Sequence, residues 1–411
     1  KYFFYIRPRR FGKSLTLSML ENYYDINKKD DFETIFGGLY IGKNPTPEHN
    51  SYLVIHLNFA EVDSGLDDYK EGLDTHCRLV FEDFCTRYAA LLPQGTKEEM
   101  KSEQGAIAQL RFLCQKCAEV KQKIYLFIDE YDNFTNMILS SEEHLERYKG
   151  QTHGEGYLRR FFNTIKGAAN TSLGRIFVTG VSPVTMDDLT SGFNIGTNYS
   201  LKPRFNEMTG FTEEEVRDML SYYAGVLPFN HTVDELIEIM KPWFDNYCFA
   251  INSYGKTTMY NSIMVLNFVD NYIENDCNIP DKMVEPNIRI DYSKIRMLIR
   301  HDKEFAHDAS IIQELVTKGY ATGNLVENFP ADRINDPDNF LSLLFYFGLV
   351  TIDGEYKGST KFIIPNEVVR DQIYTYLLDT YRENDLTFEQ YDKNKLESRL
   401  AYDGDFKPYF D

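Results

Sequence analysis

Two short runs in this sequence hold residues whose types and spacing suit phosphate chemistry. The first is Arg7-Pro8-Arg9-Arg10-Phe11-Gly12-Lys13-Ser14, placed between an apolar run, residues 1–6, and a helical pattern, SLTLSMLENYYDI. Strand, loop and helix in that order is the setting of a phosphate-binding loop, whose usual signature is G-x-x-x-x-G-K-[ST]. Gly12, Lys13 and Ser14 match it, while Arg7 stands where the first glycine is usual. Loop amides and the helix N-terminus converge on an anion, and the helix dipole adds to the attraction. Gly12 lets the backbone approach closely, Lys13 reaches the β- and γ-phosphates, and the Ser14 hydroxyl is a ligand for Mg²⁺. Arg7, Arg9 and Arg10 bring positive charge, and Phe11 and Leu15 complete the cofactor-binding run from Arg9 to Leu15. The Gly-Lys-Ser tripeptide alone is weak evidence.

The second run is IYLFIDEYDNF, an apolar strand ending in Asp129 and Glu130. In phosphate-loop enzymes an aspartate at such a strand end holds Mg²⁺, and a neighbouring group orients or deprotonates the attacking water. A strand ending in solvated acids is common. Both runs, in this order and each at a strand's C-terminal end, are not. A further strand, RIFVTGV, ends in Thr179, Gly180, Val181 and Ser182. A polar group there could sense the γ-phosphate or the water, Thr179 first and Ser182 behind it.

The elements that must position these residues alternate. Strands are expected over 1–6, 52–59, 124–128 and 175–181, with helical patterns between them. The first helix should carry Leu15, Met19, Leu20 and Tyr23 on one side, and the next, around 69–92, repeats Tyr69, Leu73, Cys77, Val80, Phe84 and Tyr88. Strands alternating with helices predict an α/β fold with a mainly parallel sheet and helices on both faces. After Gly210 the texture turns helical, opening on Thr212 with Glu215 three residues on, a capping box. Two prolines, Pro280 and Pro286, and several acids over 275–290 read as a connection. A helix, two short strands (349–352 and 361–364) and a helix behind Pro365 form a winged-helix-like pattern. The expected domains are a P-loop core at 1–210, a helical lid at 211–275, a linker and winged-helix-like domain at 276–384, and the start of a truncated C-terminal region at 385–411. The chain opens inside an apolar run, so residues upstream are expected.

Composition excludes several classes. The 411 residues include 43% hydrophobic and 15% aromatic side chains, enough to bury real cores, so a disordered chain is ruled out. Lys and Arg number 44 against 63 Asp and Glu, a net charge of −19, which opposes sequence-independent coating of DNA or anionic membrane. No membrane span and no signal-peptide pattern is visible, so the sequence reads as soluble, intracellular and cytoplasmic. The six cysteines are too sparse for a disulfide framework. Cys114 and Cys117 form a C-x-x-C, but they lie on the apolar face of a helical pattern and read as buried thiols.

Taken together, RPRRFGKSLTLSML, FIDEYDN, VTGVS, EMTGFTEEEV, WFDNYCF with the later MYNS, and FYFGLVTI followed by IPNEVVR resemble the AAA-ATPase-like family over nearly the whole chain. In that family the module is commonly joined to a C-terminal PD-(D/E)XK nuclease-like domain. The resemblance implies a P-loop NTPase fold of AAA type, and it alone selects ATP over GTP. It also makes the replaced first glycine a family trait. Asn246 departs from the family pattern, which has glycine there. No strand–PD…(D/E)-x-Lys constellation is present, so nuclease chemistry is not assigned to these residues.

The leading reading is an ATP-binding and ATP-hydrolysing module with Mg²⁺: Lys13 and loop amides on phosphate, Ser14 and Asp129 on the metal, Glu130 and Thr179 in catalysis. An arginine finger, in cis or from a neighbouring copy, is expected for efficient hydrolysis. Arg159, Arg160 and Arg204 are candidates, and an oligomer stays open. The alternative is a nucleotide-dependent switch with little turnover that holds a protein partner or an appended effector. DNA reading is poorly supported, since 340–378 holds few basic residues (Lys357, Lys361, Arg370). Trp243, Phe244, Tyr247 and Phe249 could stack bases, but core packing suits them better.

Overall fold

The computed structural model describes residues 2–62, 69–133, 156–169, 171–184, 197–284, 311–334 and 336–382. The expected region 385–411 lies outside the described residues.

Five strands form one parallel sheet: β1 (Tyr2–Ile6), β2 (Leu53–Asn58), β3 (Ile124–Asp129), β4 (Leu173–Gly180) and β5 (Thr197–Asn198), in the order β2-β3-β4-β1-β5. Strand side chains alternate between faces, so each strand feeds two cores. Tyr5, Val54, Tyr125, Phe127 and Phe177 face one way, with Leu17 of α1 (Lys13–Tyr24) over them. Phe4, Ile6, Ile55, Leu57, Leu126, Ile128, Ile176 and Val178 face the other. That second face is covered by α4 (Tyr69–Arg87), α6 (Gly105–Glu119) and α7 (Tyr157–Ala168). Short helices α2 (Phe32–Phe36), α3 (Tyr40–Lys43) and α5 (Thr96–Ser102) fill the connections. The α/β class with helices on both faces is the observed fold. Every residue of β3 is buried, as befits a strand covered on both sides.

One expectation about α1 is corrected. Leu15 and Met19 are exposed, and the sheet is met instead by Leu17, with Leu20 and Tyr24 packed beside it. Ser14 must turn toward β3, as shown below. At 100° per residue Leu17 and Glu21 then share its side of the helix, and Leu15 and Met19 point away.

Three helices follow the sheet: α8 (Glu213–Ala224), α9 (Val233–Phe244) and α10 (Ser262–Glu274). The capping box of Thr212 and Glu215 opens α8. A second one, Thr232 with Glu235, opens α9; its T-x-x-E was equally visible in HTVDEL. These helices share a core of Val216, Leu220, Leu236, Met240, Phe244, Val265, Phe268 and Tyr272. Further on, α11 (Ile311–Lys318), β6 (Ala321–Gly323), α12 (Pro337–Tyr346), β7 (Thr351–Tyr356), β8 (Ser359–Ile363) and α13 (Glu367–Arg382) build a small antiparallel sheet, β6-β8-β7, with its helices. Asn246, where the resemblance implied glycine, has φ of 82°, the left-handed region that glycine enters without strain. Asparagine tolerates it better than most residues, and the Asn246 side chain donates to the Pro365 carbonyl at 2.9 Å.

No described helix is long and apolar enough to cross a membrane. Cys114 and Cys117 are buried on α6, and burial pushes the Cys114 thiol up to about 11.

Candidate functional site

β1 and β3 end side by side across β4, so the loop after β1 and the acids ending β3 meet at the C-terminal edge of the sheet, where open α/β sheets place their ligands. The meeting is direct. The Ser14 hydroxyl donates to Asp129 Oδ2 at 2.6 Å, across 115 positions of sequence. The other oxygen of Asp129 accepts the Glu130 amide at 2.9 Å. Gly12 precedes α1 with φ of 82°, and Arg10 has φ of 71°. Left-handed residues spaced this way let successive amides turn toward one concavity, an anion-binding nest. A side chain at Gly12 would be strained by that backbone alone.

Lys13 is buried and donates to the carbonyl of Pro8, within its own loop, at 3.1 Å. Burial lowers its pKa, and Glu130, Asp132 and Asp129 work to raise it again. Burial raises the Glu130 carboxyl above the usual range, Lys13 opposes this, and Asp132 and Asp129 add to it. Arg9 acts on both groups as well, so three carboxylates here face Lys13 and the Arg9 guanidinium, and a polyphosphate entering alone meets repulsion from the carboxylates. A hard divalent cation resolves this. Ser14 and Asp129 present two oxygens side by side, the donor type Mg²⁺ prefers, and neighbouring ligands of an octahedral Mg²⁺ lie about 2.9 Å apart by its bond lengths.

The structure places the other expected residues less uniformly. Leu15 is exposed, so its side chain points away from the loop and only its backbone lies in the first turn of α1. The Phe11 side chain is buried edge-on against Tyr247 (4.9 Å between centroids) and Phe249 (5.2 Å). These aromatics are core, together with buried Phe244. Thr179 lies opposite Tyr5 in the β1–β4 pairing, and its hydroxyl donates to the Tyr5 carbonyl at 2.6 Å. Its contact is therefore with the strand leading into the loop. Ser182 accepts the Val184 amide through its hydroxyl. Arg160 lies over the ring of Tyr157, and Arg204 over that of Phe205. Arg159 is half-buried on α7.

Arg7 does not face the loop's interior. Its guanidinium is buried between the rings of Tyr5 (4.4 Å) and Phe249 (4.2 Å) and donates to the carbonyls of Ile6, Ser200 and Phe205 at 2.7–3.0 Å. A glycine there would leave those carbonyls without this donor, which gives the replaced glycine a structural reason. Arg7→Ala should lower unfolding free energy by about 2–4 kcal/mol, the range for breaking a buried polar network. Denaturant unfolding checks this, and a change below about 0.5 kcal/mol would show the guanidinium to be dispensable.

Sequence reasoning missed Asp132. Its carboxylate is buried and accepts the amides of Val181 (3.1 Å) and Ser182 (2.5 Å), tying the turn after β3 to the end of β4. Gly180 makes room for it, since a Cβ there would lie 2.1 Å from Asp132 Oδ1. The signal was present as the third acid of DEYD, with a strand ending in glycine later in the chain.

Residues 1–190 match the family model AAA-ATPase_like, described as "Predicted AAA-ATPase". No curated protein matches. Among solved structures, similarity is found to Cdc6p from Pyrobaculum aerophilum, at 12% identity, covering 92% of this chain and 89% of that one, with a TM-score of 0.32. The Aeropyrum pernix ORC1 protein, solved in complex with DNA, is similar at 12% identity, with 91% and 86% covered and a TM-score of 0.33. The Aeropyrum pernix ORC2 protein, solved as ADPNP–ADP complexes, is similar at 11% identity, with 92% and 88% covered and a TM-score of 0.34.

Proposed function

With residues 1–190 an AAA-ATPase-like, nucleotide-binding module, we propose that the chain binds Mg²⁺-ATP at the loop 7–14 and hydrolyses it. The observation that carries this reading is the 2.6 Å hydrogen bond between Ser14 and Asp129, which unites the two runs that phosphate chemistry needs. Loop amides and Lys13 hold the phosphates, with Lys13 exchanging the Pro8 carbonyl for a phosphate oxygen. Ser14 and Asp129 hold the metal. A Mg²⁺ held by these two residues would supply positive charge against the charge that develops on the phosphates. Glu130, whose carboxyl burial raises above the usual range, takes the proton of the attacking water. Thr179 senses the nucleotide through β1, whose Tyr5 carbonyl it holds.

A second reading, a switch with little turnover, is favoured by the packing of Phe11 and Arg7 against the Tyr247–Phe249 segment, which ties the loop to later parts of the chain. In that reading the winged-helix-like segment from α11 to α13 holds a protein partner or an appended effector. With so few basic residues, it contacts DNA weakly.

Titration of the wild-type chain with a fluorescent ATP analogue, with and without Mg²⁺, tests the shared part. Binding in the micromolar range that weakens at least tenfold on chelation of Mg²⁺ is expected. Absence of binding under both conditions would overturn both readings. Phosphate release then separates them: turnover supports hydrolysis, and tight binding without turnover supports the switch.

A further inference from the structure

The loop's backbone is held from outside by residues far along the chain. The Asn261 side chain donates to the Arg9 carbonyl at 3.4 Å. Ser262 donates through its hydroxyl to the Arg10 carbonyl at 3.1 Å, and the Ile263 amide donates to the same carbonyl at 3.3 Å. The Gly210 amide donates to the Phe11 carbonyl at 3.0 Å. Three successive loop carbonyls are thus drawn toward the N-terminus of α10 and the turn before α8.

Peptide planarity turns this into a statement about the other side of the loop. In a trans peptide the C=O of one residue and the N–H of the next point in opposite directions, and no cis peptide is present among the described residues. Anchoring the Arg10 carbonyl outward therefore fixes the Phe11 amide inward, and anchoring the Phe11 carbonyl does the same for the Gly12 amide. Neither amide donates to any described residue. Donors held open in this way lose little entropy when an anion takes them up.

We propose that Ser262 and Asn261 are positioning residues for nucleotide binding: by holding the Arg10 and Arg9 carbonyls they aim the loop's amides at the phosphates. The inference rests on the nucleotide reading above and adds two residues outside the matched segment 1–190. Because the holding groups belong to α10, phosphate at the loop and the placement of α10 bias each other, as linkage requires.

The test uses the full chain with two probes, a fluorescent ATP analogue with Mg²⁺ and inorganic pyrophosphate with Mg²⁺. Ser262→Ala removes one donor at a helix position where alanine is well tolerated. Asn261→Ser keeps an N-cap oxygen for α10 but is too short to reach Arg9. About fivefold weaker binding is expected for each variant, the worth of one hydrogen bond, and about twentyfold for the pair. Both probes should lose by the same factor, since only phosphates touch the loop. Ser262→Thr should restore the affinity, and in any variant that turns over KM should rise with kcat unchanged. Both residues are buried, but neither substitution adds volume, so melting temperatures without nucleotide should stay within about 4 °C of wild type. Equal affinity of wild type and the double variant would overturn the inference while leaving the nucleotide reading intact. A loss that Ser262→Thr does not restore, or one that follows a lowered melting temperature, would overturn it too. Failure of wild type to bind either probe would instead overturn the nucleotide reading, and this inference with it.

Discussion

Lys13→Ala should raise the dissociation constant for the Mg²⁺-bound ATP analogue by at least about a hundredfold, two charge-assisted hydrogen bonds at roughly 1.5–3 kcal/mol each. The lysine is buried, its hydrogen bond among the described residues is to the loop's own Pro8 carbonyl, and three carboxylates lie near enough to act on it. Its removal leaves those carboxylates facing the phosphates with the Arg9 guanidinium as the remaining cation acting on the site. The variant should keep its fold, since the Arg7 and Phe11 anchors of the loop are untouched. Fluorescence titration checks the affinity and circular dichroism the fold. Wild-type affinity in a folded variant would place the phosphates elsewhere.

Glu130→Gln should lower kcat for phosphate release by at least tenfold, the lower end of what a general base contributes being about a hundredfold, while leaving nucleotide affinity within about threefold. The amide keeps the shape but takes no proton. Asp129 and Ser14, which would hold the metal, remain. Stability separates a chemical effect from a structural one. The folded Glu130 carboxyl has a raised pKa, chiefly through burial, so the folded state binds more protons than the unfolded one as pH climbs from the ordinary glutamate value to the raised one. Folding free energy contributed by this group is therefore lost as pH rises through that window. Glutamine carries no such penalty, and the nucleotide-free variant should melt no lower than wild type at neutral pH. A folded variant with undiminished turnover would remove Glu130 from the chemistry.

How much of this was legible in the sequence depends on how local the cause is. The strands expected over 52–59 and 124–128, found at Leu53–Asn58 and Ile124–Asp129, were readable because a doubly covered strand must be apolar at nearly every position. The capping box at Thr212 was readable because both of its hydrogen bonds close within four residues. The phosphate loop and the Asp129–Glu130 pair were visible for a similar reason, since each is a contiguous run whose residue types state their own chemistry. The face of α1 was not. Periodicity shows that a helix has sides, but only the Ser14–Asp129 bond decides which side meets the sheet, and it turned Leu15 and Met19 outward.

The sequence by itself determined the class of fold, the two phosphate-competent runs and their order, because composition, periodicity and motif are properties of neighbours along the chain. The tertiary structure alone decided that Ser14 and Asp129 touch, that Arg7 is sealed between Tyr5 and Phe249, that Thr179 bonds to the strand before the loop, and that Asn261 and Ser262 hold the loop's carbonyls. The physical reason is the same in each case. A charged or polar side chain states what it can bond to, but its partner is chosen by which strand ends lie side by side, and the pairing β3-β4-β1 brings together residues more than a hundred positions apart.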